Sequence, residues 1–89
     1  MHVQMRLFSH LRLALGVRTL ELDLPEGATV AVAIEWVRTL VDDDLESMIV
    51  DKERGGYRLV AKVNGQYADP EKRLQPGDEV ILLSPISGG

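Results

Sequence analysis

The chain has 89 residues, 45% of them hydrophobic, with no cysteine and a formal net charge of −4. That length supports one domain with a small core and little room for a deep ligand pocket, which disfavours an enzyme acting alone. The lack of cysteine excludes disulfides, cysteine-ligated zinc and thiol nucleophiles and fits a reducing, cytoplasmic setting, while the acidic balance argues against nucleic acid and leaves a basic protein partner open.

Residues 2–9 read HVQMRLFS, with Val3, Met5 and Leu7 on one side of a predicted strand and Gln4, Arg6 and Phe8 on the other. This alternating N-terminus holds no apolar stretch of signal-peptide or membrane-spanning length, so no membrane role is expected. Residues 10–17, including Gly16, read as a connection. A second strand follows over residues 18–24, where Leu20, Leu22 and Leu24 alternate with Thr19, Glu21 and Asp23, and the two strands are expected to form a hairpin.

Pro25, Glu26 and Gly27 stop that strand. A helix is predicted over residues 30–41 with Thr29 as its N-cap, and its apolar stripe comprises Val30, Ala33, Ile34, Val37, Leu40 and Val41. Trp36 falls between faces, at the edge of the core. Asp42, Asp43 and Asp44 can end this helix and cap a short second one through Leu45, Met48 and Ile49. Residues 51–56 form a loop closing on two glycines. Residues 57–64 resume as a strand with Leu59, Ala61 and Val63 on one face, and Asn64 and Gly65 make a tight turn.

Between residues 66 and 78 the pattern allows one short strand, a buried anchor at Leu74 and a type II turn at Pro76-Gly77. Residues 79–84 form the last strand. Val80 and Leu82 oppose Ile81 and Leu83, the mark of a central strand covered on at least one side. The expected fold is therefore α+β: a mixed sheet of about four or five strands packed on one long helix, with the first and last strands paired in parallel at the centre. The predicted domain spans residues 1–84 and a flexible tail residues 85–89.

Histidines 2 and 10 lack a third ligand at a recognisable spacing, and the run Asp42–Asp44 lacks the spaced oxygens and glycine of a calcium loop, so no metal is expected. If Val3, Met5 and Leu7 face the helix, then Phe8, Val60, Ile81 and Leu83 share the opposite sheet face and form a candidate docking patch. The sharpest feature is the ending SPISGG. Beyond a central strand, Pro85, Ile86, Ser87, Gly88 and Gly89 would project roughly 16–18 Å when extended. A tip of two glycines can pass a channel too narrow for side chains and present a bare α-carboxylate to a buried site. A carboxylate is a poor electrophile, so such an arm becomes useful once ATP adenylates it and a sulfur nucleophile captures the acyl group.

The element order, with VNGQYADPEKRLQPGDEVILLSPISGG over residues 63–89, resembles the ubiquitin-like sulfur-carrier proteins, and most closely the small subunit of molybdopterin synthase. The resemblance covers essentially the whole chain. It implies a β-grasp fold and a protein that is non-catalytic alone but serves as the sulfur-donor subunit of a transferase complex. On this resemblance Gly89 carries the sulfur and Gly88 is its steric companion. Pro85, Ile86, Ser87 and Gly88 form the inserted tail. The implied partners are an adenylyltransferase resembling ubiquitin-activating enzymes, which uses ATP, a sulfur donor protein, and the large subunit of molybdopterin synthase, where the thiocarboxylate passes sulfur to a pterin precursor. No cofactor is implied on this chain itself. Ser84 departs from the small subunits, which often have proline there, and the same tail would suit a carrier for thiamine or tRNA thiolation, a ubiquitin-like protein modifier, or a β-grasp interaction module whose glycines do nothing.

Overall fold

Strict alternation of apolar and polar residues builds the first strand, β1 (His2–Leu7), whose Val3, Met5 and Leu7 are buried while the residues between them face outward. The computed structural model describes residues 1–83, leaving aside the side chains of Ser9 and His10. β1 pairs antiparallel with β2 (Thr19–Asp23), placing Val3 beside Leu22 and Met5 beside Leu20. The connection between them differs from the plain loop expected. It contains a helix, α1 (Ser9–Leu15), which buries Leu11 and stops at Gly16, where φ of 73° lets the Gly16 N–H bond the Arg12 carbonyl at 2.9 Å.

The main helix is α2 (Val30–Arg38), and Val30, Ala33, Ile34 and Val37 form its buried stripe. It is shorter than the sequence pattern suggests. Thr39 donates its hydroxyl proton to the Trp36 carbonyl at 2.6 Å, the chain turns, and Leu40, expected on the core stripe, is 44% exposed. Thr29 stands at the N-cap as expected, yet its side chain makes no capping bond. The free N–H groups of Val30 and Ala31 instead donate to the carbonyls of Lys72 and Pro70 at 2.9 and 2.8 Å. In α3 (Asp43–Ile49) the expected cap is present: Asp42 Oδ1 accepts from the Leu45 N–H at 2.9 Å, and Ile49 is fully buried.

The remaining strands are β3 (Val60–Val63), β4 (Gln66–Ala68) and β5 (Glu79–Leu83). Asn64 and Gly65 join β3 to β4 with φ of 52° and 86°, the left-handed pair that a two-residue hairpin demands. The sheet order is β2-β1-β5-β3-β4, parallel between β1 and β5 and antiparallel elsewhere, so the first and last strands meet at the centre as anticipated. One core lies on one face of this sheet, combining Val3, Met5, Leu22, Val80 and Leu82 with the buried stripe of α2, Leu11, Ile49 and Leu74. Among the described residues, no helix is long and apolar enough to cross a membrane.

Candidate functional site

The last described element, β5, is held firmly at its start. A buried carboxylate fixes its start. Asp78 accepts from the Asn64 side-chain amide at 2.9 Å and from the Gln75 N–H at 2.8 Å, while Asn64 in turn accepts from the Glu79 N–H at 2.9 Å. Gly77, at φ of 85°, closes the expected Pro76-Gly77 turn with an Asp78 N–H to Gln75 carbonyl bond of 3.1 Å. Two turns distant in sequence are thus tied together, and the strand that leads to residue 84 is clamped at its root.

Within β5, Val80 and Leu82 point into the core, and Ile81 and Leu83 lie half-buried on the opposite face. Strand register fixes their neighbours. Thr19, Arg6, Ile81, Lys62 and Tyr67 form a row across all five strands, and Leu83 stands beside Val60. Phe8 continues from β1 in extended conformation, and the Arg6 guanidinium lies 5.5 Å from its ring centroid. Lys62 Nζ lies 4.6 Å from the ring centroid of Tyr67, a side chain 73% exposed. Both cations therefore sit over aromatic faces, an arrangement attractive to the ring quadrupole.

The four residues expected to share a docking face are thus gathered: Ile81, Leu83 and Val60 on the outer sheet face and Phe8 at its margin. All four are half-buried rather than open. The company of Arg6, Lys62 and Tyr67 was not singled out from the sequence. Its signal is the same two-residue alternation in HVQMRLF and VAKV, but only the strand order shows that the cations flank Ile81. Gly89, Gly88, Ser87, Ile86 and Pro85 lie outside the described residues.

The molecule's strongest perturbation of titratable groups lies elsewhere, where α2 and α3 meet the chain before β3. Arg38 donates to both oxygens of Glu35 and to Glu46 Oε2 at 2.9–3.0 Å, and the Tyr57 hydroxyl donates to Glu35 Oε2 at 2.6 Å. Burial, reinforced by Glu35, pushes the Tyr57 phenol up to about 12. The Tyr57 hydrogen bond, with help from Arg38 and against burial, holds Glu35 below the usual carboxylate range, and the Arg38 hydrogen bond does the same for Glu46. These contacts fasten structural elements together. Among the described residues no three His, Cys, Asp or Glu side chains converge on a metal position, and His2 Nε2 donates to Glu21 at 2.6 Å.

The ThiS family profile matches residues 5–89. The chain belongs to the ThiS family. Within solved structures, this ThiS-family chain is 28% identical to small archaeal modifier protein 1 of Haloferax volcanii, with a TM-score of 0.80 and coverage of 96% of this chain and 98% of that one. It is 27% identical to a putative molybdopterin converting factor, subunit 1, of Pyrococcus furiosus, with a TM-score of 0.74 and the same coverage of 96% and 98%. An uncharacterized protein of Archaeoglobus fulgidus is 34% identical over 76 residues, which are 81% of this chain and 78% of that protein. The mixed five-stranded sheet is accordingly the β-grasp fold of ubiquitin-like sulfur carriers. The coarser expectation, a small ubiquitin-like sulfur carrier, is the one this family match supports.

Proposed function

We propose that this chain is the sulfur-carrier small subunit of molybdopterin synthase. The observation that carries the reading is the family match running through residue 89, on a fold whose central strand β5 delivers the chain to residue 84. The similarity to a putative molybdopterin converting factor, subunit 1, supports the choice of branch. In the proposed cycle the Gly89 carboxylate attacks the α-phosphorus of ATP in an adenylyltransferase of the ubiquitin-activating type, releasing pyrophosphate. Sulfide supplied by a sulfur donor protein displaces AMP and leaves a thiocarboxylate. Residues 85–88 thread into the large synthase subunit, Phe8, Val60, Ile81 and Leu83 dock against it, sulfur passes to the pterin precursor, and water restores the carboxylate.

A second reading is a ubiquitin-like modifier, favoured by the similarity to small archaeal modifier protein 1. Both begin with adenylation and differ in the acceptor. Incubation with the activating enzyme, ATP and sulfur donor should raise the intact mass by one oxygen-to-sulfur exchange, and addition of the large subunit with the pterin precursor should reverse it. Lysine conjugates in place of sulfur transfer would establish the modifier reading. An unchanged mass together with the absence of conjugates, with a competent activating enzyme, would overturn both. Removal of Gly88 and Gly89 should abolish the exchange while leaving affinity for the large subunit measurable.

A further inference from the structure

Away from the outer sheet face, the end of α1 and the α2–α3 junction enclose an open groove of about 360 Å³. Its apolar lining comes from Ala14 and Leu15 of α1, Leu40 and Val41 after α2, and Leu45 and Met48 of α3. Leu40 is 44% exposed, an uncommon position for a large aliphatic side chain that continues the core stripe of α2. Asp42 and Asp44 line the rim, with Asp43 between them, and all three are exposed. Among the described residues none of these carboxylates makes an ion pair, whereas Arg38 and Lys52, the cations bound to α3, are both engaged by Glu46. The groove therefore combines an apolar lining with an uncompensated negative edge.

We propose that this groove docks a protein segment in which an apolar anchor stands beside Lys or Arg. Three features select that occupant. The volume lies at the lower limit of the roughly 300–1,000 Å³ of small-molecule sites, and the groove is open, which suits one or two inserted side chains better than an enclosed ligand. Three successive carboxylates without an ion-pair partner among the described residues favour a cation at the rim and disfavour an anionic one. The position is also suited to a partner that handles the chain's end, a point that rests on the proposed function. Leu7 lies beside Leu82 in parallel register and α1 begins at Ser9, so α1 starts level with the end of β5. Its seven residues span about 10 Å, which places the groove within one short helix of the end of β5. A partner seated there approaches from the helical side, leaving the outer sheet face open.

The test uses the full-length ¹⁵N-labelled chain and two synthetic peptides that share a Leu-Met anchor, one flanked by lysines and the other by glutamates. The lysine peptide should shift the amides of residues 14, 15, 40, 45 and 48 and saturate, the glutamate peptide should bind about tenfold more weakly or less, and added salt should narrow the gap. Asp44→Lys should erase the preference, and because the Asp44 carboxylate is exposed and without an ion-pair partner among the described residues, its spectrum should otherwise remain native. Met48→Lys supplies an independent loss of the apolar lining. Equal binding of both peptides, no shifts at millimolar peptide, or shifts confined to residues 6, 62 and 81 would overturn the proposal. Concentration-dependent shifts at the groove without peptide would also overturn it, assigning the groove to a second copy of the chain.

Discussion

Asp78 shows how one side chain can fix the start of a central strand. It is the one buried polar or charged residue among the described residues, and it satisfies two donors from separate turns at the root of β5. Asp78→Ala should strand the Asn64 amide and the Gln75 N–H and lower stability by about 1–3 kcal/mol, measurable by urea unfolding. Asn64→Gly tolerates the left-handed turn and keeps the backbone bond to the Glu79 carbonyl while removing both side-chain hydrogen bonds, so it reports the network free of backbone strain. The Glu35–Tyr57 pair gives a second test, through pH. Glu35 is held below its ordinary value, so its contribution is present above about pH 4.5 and should be lost as pH falls through the depressed folded value. Tyr57 is raised to about 12, so its contribution is complete below pH 10 and should be lost as pH rises toward 12. Denaturant midpoints should therefore fall at both extremes, and Tyr57→Phe should flatten the alkaline slope and weaken the acid one.

Individual elements differ in how openly the sequence declares them. The strands are legible because Val3, Met5 and Leu7, or Ala61 and Val63, alternate with polar neighbours, and parity alone places Val60, Ile81 and Leu83 on the outer face. α1 is not, because its seven residues bury Leu11 and only partly Leu15, too few points to establish a helical period. The end of α2 is misleading for the opposite reason: Leu40 and Val41 prolong the apolar pattern although the backbone has already turned at Thr39. Nor could the sequence show that carbonyls from residues 70 and 72 would replace the Thr29 side chain as the cap, since that contact spans some forty positions. Asp42 is the local case that does read directly. Asp42→Ala should cost about 1 kcal/mol, as N-cap losses generally do, and should reduce hydrogen-exchange protection first in α3.

For the whole molecule, the parallel β1–β5 pair sets β5 at the centre of the sheet with Ile81 between two cations, on the face proposed to dock a partner. That setting makes Ile81→Glu an informative change. The outer face is half-buried, so little core packing is lost, and the new carboxylate would lie beside Arg6 and Lys62, where cross-strand opposite charges contribute about 0.2–1 kcal/mol each. The fold should survive with its melting temperature nearly unchanged. Docking should not, because a partner that covers this face would have to desolvate the carboxylate and would lose the isoleucine contact. On the proposed function, the affinity for the large synthase subunit should fall at least about tenfold, equivalent to about 1.4 kcal/mol, by isothermal titration calorimetry. Raising the salt should not restore it, because the lost interaction is apolar burial, which salt does not screen. Native-like affinity in a folded Ile81→Glu protein would exclude the outer sheet face as the docking surface and leave the tail to account for recognition.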